Sequence, residues 1–505
     1  MVIFVVSIDT APESPRLHPA GACALLVFLY TFFSFICSRL YRHTHENSAR
    51  YFATEKKLSI LAVFLFISLL HGIDLKYYFH FLSFAGNLPV LENLGCLLLF
   101  YFFLILMWLR ARPSYIVIFQ RYYSAFAFVI SNTRINLPII LPWMTISIVF
   151  DLLALLKVPA LEQTLESPYG DLVLFLVFVF FLVLLFPPLV RWLWKCTPMP
   201  PSPLRDKIVL FCRSQHFSSE ILLWPLFEGQ VITAGIMGIL PKLRYLLITP
   251  ALLKTMNSEE LEAVLAHEIG HVKKKHLPLY IFLFLGFSLF AGAVTGPLPF
   301  LYLGSDWFYA LSSSLMVSPE SLLATLVALP LLVFMILYFR FLFGYFIRNF
   351  ERQADLYVFK AQGNSTGLIN SFEKIAVLSG NIREQKSWHH FGIGERVDFL
   401  QRCEADRSLI RKHDRKVYSS LVVYTVVIAV IVFMLGRVDN EKLAAGYETK
   451  FMEAVITHKL HQEPDNGLLF LLLGNLLQEK MMERKAIEAY ERALKLRPDH
   501  ADIYN

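Results

Sequence analysis

The stretch LEAVLAHEIGHVKKKHLPLYIFLFLGFSLF, residues 261–290, changes character halfway along. Its first half sets two histidines and a glutamate in a helical pattern, three lysines follow, and then an uncharged run begins. A helix carrying potential metal ligands therefore leads straight into a segment of the kind that enters a bilayer, where about 20 apolar residues are needed to cross. An ordinary soluble domain has no place for the second half, and a plain membrane bundle has no use for the first.

Composition agrees with the second half. Of 505 residues, 56% are hydrophobic, only 17% are charged and 45 are phenylalanine, and a mean hydropathy of +0.52 is too high for a soluble globule. Largely uncharged runs predict about eight spans, at 20–37, 58–70, 94–109, 137–156, 172–190, 277–301, 322–345 and 417–435. The second and third need flanking residues to cross, and 114–130, interrupted by Arg121, reads as interfacial. The opening MVIFVVSI runs into Asp9 and Glu13 without a small-residue cleavage site, so the first span is expected to stay as an anchor.

Lysine and arginine set the expected orientation, because they concentrate in short cytoplasmic loops. Arg39, Arg42, Arg50, Lys56 and Lys57 follow the first span, and Arg110, Arg112, Arg121 and Arg134 follow the third. The alternate loops carry little beyond Lys76 and Lys157. The N-terminus is expected outside, with residues 191–276 and 346–416 in the cytoplasm and the tail after 436 outside again. The net charge of +7 is then a topological bias, and nucleic acid is not an expected partner. The six cysteines show no paired ligand spacing, so no disulfide is expected.

Between the fifth and sixth spans the pattern becomes that of a small α+β domain. It predicts a helix over 204–212, strands near 221–227, 231–239 and 244–248, and a helix opening at Asn257 or Ser258, where Glu259, Glu260 and Glu262 complement the positive helix end. On that helix His267 and His271 lie four residues apart, on one face and about 6 Å apart along the axis, so both can direct ring nitrogens at one ion. In an H-E-x-x-H site the glutamate, here Glu268, does not ligate; it takes the proton of the attacking water. The motif alone is suggestive only. A third ligand strengthens it: RNFERQADLYVF, residues 348–359, sets Glu351 and Asp355 one turn apart just after the seventh span, while His271 lies just before the sixth. An antiparallel pair of spans returns both to one level. Glu351 completes a two-histidine, one-glutamate set for one Zn2+ per chain, and Asp355 is placed to orient a ligand histidine.

These residues resemble the membrane zinc metallopeptidases that include bacterial HtpX and the eukaryotic type 1 CAAX prenyl proteases. The resemblance lies in SEELEAVLAHEIGHVKKKH, in E-x-x-A-D from Glu351 to Asp355, in RYLLITPALL at 244–253 and in HHFGIGERVDFL at 389–400. It implies a zincin-like catalytic domain, an oxyanion-stabilising role for His390 and a site-holding role for Arg396. It also implies a strand that pairs with substrate backbone, found here as TAGIMG with Thr233, Ala234 and Gly238, threonine standing where the family has asparagine. Polypeptides at the membrane, misfolded ones among them, are the expected substrates, and a bacterial inner membrane with a cytoplasmic site is the expected setting. Prenyl-peptide processing is the narrower alternative within the class. An intramembrane protease is disfavoured by the polar flanks of HEIGH, and a non-catalytic scaffold is the alternative outside the enzymes.

Near the end, LFLLLGNLLQEKMMERKAIEAYERALKLRPDH, residues 469–500, carries Gly474, Ala486, Tyr490, Ala493 and Pro498 at the spacing of a tetratricopeptide repeat. A lone repeat buries its face poorly, so a packing partner is expected, either residues 441–460 or another protein. The expected fold is a mostly α polytopic membrane protein with a small α+β catalytic domain and a helical tetratricopeptide-like hairpin. It divides into residues 1–190 with five spans, 191–416 with the catalytic domain and two spans, the last span at 417–435, and the tail at 436–505. Five further residues are read as plain surface chemistry: Lys273, Lys274 and Lys275 form a cationic collar at the bilayer, His276 faces away from His271 at the interface, and Asp151 snorkels at the outer end of the fourth span.

Overall fold

Apolar length, prolines and capping side chains together place the helix ends. The computed structural model describes residues 2–9, 11–12, 14–44, 48–120, 122–156, 170–225, 231–315, 317–378, 383–384 and 391–497. Among them, six helices are long and apolar enough to cross a membrane: Pro19–Arg42, Pro89–Phe119, Val173–Leu193, His276–Leu303, Pro319–Ala361 and Ser408–Leu435.

Eight straight spans do not form. The predicted second and fourth spans fall in helices that bend, by 80° between Arg50–Gly72 and Leu75–Ser83 and by 60° between Ala125–Pro138 and Ile140–Leu156; the count reaches eight only if each bent pair is one span. The first bend follows from Asp74, whose left-handed backbone (φ 54°) stops the helix. The second follows from Pro138 and Pro142, which remove helix hydrogen bonds and crowd the preceding turn. Asp151 does not snorkel: its Oδ2 accepts from Val90 N at 2.7 Å, capping the helix Pro89–Phe119 with a carboxylate.

The chain forms two compact units, Met1–Pro278 with Arg348–His413, and Leu279–Ile347 with Asp414–Asn505. In the first, the N-terminal helices pack through Phe33 against Phe103, edge to face at 5.3 Å, and through Tyr30, whose hydroxyl donates to Leu99 O at 2.9 Å. The same unit holds a four-stranded sheet: β1 (Thr197–Pro198), β2 (Glu220–Leu223), β3 (Ala234–Met237) and β4 (Tyr245–Ile248), in the order β1-β2-β4-β3. β2 runs parallel to β4, and β3 runs antiparallel to β4 with Ala234 opposite Ile248 and Met237 opposite Tyr245. Among the described residues β3 is thus an edge strand. At its end Gly238 has φ +97°, and a Cβ there would stand 2.1 Å from Leu243 O, so the turn out of the strand requires glycine.

Behind the sheet lies the core that sets the site. Ile208, Leu246, Ile248, Leu261, Leu265, Ile269, Leu368 and Leu400 are all buried in one cluster. The predicted helix at 204–212 forms as Pro203–Ser214, and the HEIGH helix forms as Ser258–Lys273. Asn257 caps the latter reciprocally: its side chain accepts from Glu260 N and its own N–H donates to the Glu260 carboxylate, both at 2.9 Å.

In the second unit, successive aromatic pairs run in opposite sequence directions: Phe290 with Phe334 at 4.2 Å, Phe284 with Phe339 at 6.0 Å and Tyr280 with Phe343 at 5.9 Å. These mark two antiparallel helices. The unit ends in a hairpin of Gly467–Glu479 and Glu483–Leu496, preceded by the long helix Asn440–Gln462, whose Glu453 pairs with Lys480. The buried small residues Gly474, Ala486, Ala489 and Ala493 line the hairpin contact. Pro498 lies outside the described residues.

Candidate metal centre

Close helix contact comes first in building this site. Gly270, inside HEIGH, faces the helix Gly344–Leu356, and a Cβ there would lie 2.8 Å from Tyr357 Cβ and 3.0 Å from the backbone of Ala354. Any larger residue would push the two segments apart. That contact brings Glu351 and Asp355 opposite the histidines, and a polar row on the same helix, Asn349, Glu351, Gln353 and Asp355, is buried with them.

His267, His271 and Glu351 can each offer one ligand atom such that all three lie within 4.8 Å of one another. The two Nε2 atoms are 3.3 Å apart. Glu351 Oε2 stands 3.6 Å from His267 Nε2, and Oε1 stands 3.5 Å from His271 Nε2. Two imidazoles and a carboxylate converging from two helices form the donor set that zinc takes in a site with an open fourth position. The residues fit the metal.

Asp355 lies behind this set, with Oδ1 2.8 Å from His267 Nδ1. Arg396 fixes that carboxylate with two bonds, Nε to Oδ2 at 2.9 Å and Nη2 to Oδ1 at 2.6 Å, and its guanidinium lies 4.1 Å over the Phe372 ring. Burial opposes the charge on Asp355, yet Arg396 and His267 outweigh it and hold the carboxyl below its usual range. Burial likewise opposes charge on His267, but the Asp355 carboxylate 2.8 Å away and the neighbouring Glu351 and Glu268 raise its pKa. His271, with no carboxylate on Nδ1, is pushed down by burial to about 4.

Glu268 belongs to the same cleft. Burial, opposed by His267 and reinforced by the Glu351 charge, lifts its pKa to about 7, and the nearby backbone of Ile236 on β3 favours its charged form. Thr249 N donates to Thr233 O at 3.1 Å, which makes them a bonded pair. By alternation, Gly235 and Met237 bond β4, while the main-chain groups of Ala234 and Ile236 face the open edge. Thr233 itself stands just before β3, clipped to Thr249, and its hydroxyl bonds Ala234 O at 3.2 Å. His390 lies outside the described residues.

One sequence expectation fails here and exposes two residues that pattern reading missed. His276 does not face away from His271 and is not interfacial. It is fully buried, with Nδ1 3.0 Å from His271 Nδ1 and Nε2 3.2 Å from Gln353 Oε1, and its ring stacks on Phe350 at 4.7 Å. The expectation assumed one continuous helix, on which five residues turn a side chain away. The helix instead ends at Lys273, and Lys275 takes a left-handed backbone (φ 57°) that turns His276 back. Of the three lysines, Lys273 donates to His216 O at 3.0 Å.

No curated protein matches this chain. The solved structure of S. mikatae Ste24p is similar over 77% of this chain and 100% of its own, at 16% identity and a TM-score of 0.34, too loose a likeness to carry an argument. Sequence is more telling: residues 225–420 match the profile of Peptidase family M48. That span contains His267, Glu268, His271, Glu351, Asp355 and Arg396, and the match identifies this part of the chain as a metallopeptidase domain.

Proposed function

We propose that the protein is a zinc endopeptidase of the membrane, which cleaves extended segments of membrane-associated or misfolded polypeptides at its cytoplasmic face. The observation that carries this reading is the convergence of His267, His271 and Glu351 within 4.8 Å, with Glu268 in the same cleft. Zinc held there by two imidazoles and a carboxylate supplies Lewis acidity at the scissile carbonyl.

The rest falls to the chain's own groups. Glu268 takes the proton of the attacking water and passes it to the departing amine. The backbone of Ile236, on the strand beside it, favours the charged form of that carboxyl. Asp355, clamped by Arg396, orients His267. Substrate backbone pairs along the open edge at Ala234, with Thr233 and Gly238 shaping the ends of that strand. Such pairing accepts many sequences, because every extended peptide offers main-chain donors and acceptors. His390 stabilises the oxyanion. The tetratricopeptide-like hairpin binds a protein partner on the opposite side of the membrane.

The test of the chemistry is Glu268→Gln, with zinc and cleavage of an unfolded protein measured on the same detergent-purified sample. Zinc stays and cleavage falls by at least about a hundredfold; wild-type cleavage by the zinc-loaded variant rules the mechanism out. For the orientation, a reporter after Gly436 reads outside and one inserted at residues 361–366 reads cytoplasmic. The same side for both would exclude the proposed crossing at 417–435.

A further inference from the structure

The two histidines of HEIGH are held differently at their far nitrogens. His267 Nδ1 meets a carboxylate, Asp355, at 2.8 Å. His271 Nδ1 meets another imidazole, His276 Nδ1, at 3.0 Å. Two ring nitrogens at that distance share one proton, so one ring donates and the other accepts. What lies beyond His276 decides which. Its Nε2 faces the Oε1 of Gln353 at 3.2 Å, and an amide oxygen only accepts. Hence Nε2 of His276 carries a hydrogen, and in the neutral ring Nδ1 is bare. It accepts the Nδ1–H of His271, which leaves the lone pair of His271 on Nε2, on the side of His267 and Glu351.

We infer that Gln353 and His276 form a relay that sets the tautomer and ring orientation of His271, making His276 a positioning residue for the metal. Gln353 and Asp355 are two residues apart on the same helix as Glu351, so one helical turn presents a ligand and orients both ligand histidines, His267 directly through Asp355 and His271 through His276. The stack of His276 on Phe350, nearly parallel at 9° and 4.7 Å, fixes the plane of the relaying ring. His276 is fully buried and Gln353 nearly so, which keeps water from replacing either bond. Ligand histidines typically have such partners, and losing one costs about 10–100-fold in metal affinity. An uncharged relay on one ligand beside a carboxylate on the other also limits the negative charge gathered at the site.

This rests on reading His267, His271 and Glu351 as metal ligands, and the experiment separates the two. The full-length protein is stripped of metal in detergent, zinc affinity is measured by competition with a chelating dye, and cobalt is substituted to follow its visible spectrum. His276→Phe keeps the stack on Phe350 and removes the acceptor, and zinc affinity drops about 10–100-fold with an altered cobalt spectrum. His276→Asn returns an acceptor close to the place of Nδ1 and recovers part of the loss, which a merely space-filling role would not produce. Gln353→Met, which breaks the far end of the relay, weakens zinc in the same direction and serves as the test if His276→Phe does not fold. Wild-type protein that binds no zinc overturns the metal reading itself. Wild-type protein that binds zinc, together with His276→Phe or Gln353→Met binding it equally well, overturns the relay alone.

Discussion

The metal centre and the C-terminal hairpin solve the same problem, how to bring two helices close, by opposite means. At the centre, Gly270 lets backbones approach, but the gap is then filled by polar groups that each have a partner: His267 with Asp355, Asp355 with Arg396, His271 with His276, His276 with Gln353. In the hairpin, Gly474 and three alanines admit the neighbouring helix, and the fill is apolar, the Tyr490 ring over Gly474 together with Leu473 and Leu477. Buried polar networks fix geometry at a high cost per broken bond, whereas small-residue contacts depend on volume. A change of charge should therefore damage the first region's chemistry, and a change of size the second region's packing.

The largest effect belongs to Glu351→Gln. The amide is nearly the same size, so packing changes little, yet a neutral amide is a far poorer ligand than a carboxylate and the site loses one of its three protein donors. Zinc content of the purified protein should fall to near background, and cleavage with it. Full zinc in this variant would mean that another carboxylate completes the set. Asp355→Asn should do less, because it leaves the three donors intact and weakens only the hold on His267: a loss in zinc affinity of about 10–100-fold, measured by chelator competition. If Asp355→Asn proved worse than Glu351→Gln, the two carboxylates would have to exchange roles.

This contrast also explains how much the sequence disclosed. The HEIGH helix was legible because its signals are local: the Asn257 cap, the acidic first turn and the four-residue histidine spacing all lie within one helix. Three strands were legible from their apolar runs, and β4 falls inside its predicted range. The nearness of Glu351 to the two histidines follows from a longer argument, from distance to the ends of two apolar runs. What escaped depends on backbone angles that pattern does not encode. Lys275 at φ 57° reverses the chain and brings His276 home, and Asp74 at φ 54° bends the chain just beyond the predicted second span. Lysine rarely adopts that conformation, and aspartate, which adopts it more readily, does so at few of its positions, so neither angle is marked in the sequence. Asp151 escaped for another reason: its partner, Val90 N, is 61 residues away, and capping at that separation leaves no local trace.

The smallest effect, and the sharpest test of the contrast, is Gly474→Ala. A Cβ at this position would lie 2.4 Å from Tyr490 Cε1 and 2.5 Å from Cδ1, closer than carbon atoms approach, so the ring must move. It is not free to do so. The one hydrogen of the Tyr490 hydroxyl has two acceptors within reach, Asn475 Oδ1 at 2.8 Å and Gln478 Oε1 at 2.7 Å, both on the glycine's own helix, so a shift of the ring strains a contact that holds the helices together. Alanine's better helix propensity offsets up to about 1 kcal/mol of this, while overpacking of one methyl against a fixed ring costs about 1–3 kcal/mol. The hairpin should be destabilised by the difference, read as faster amide exchange over Gly467–Glu479 and Glu483–Leu496 in the full-length protein. Zinc content should not change, since no donor and no partner of a donor is touched. Unaltered exchange would mean that Tyr490 and Gly474 are not in tight contact, and a drop in zinc would mean that the hairpin's packing and the metal centre are not independent after all.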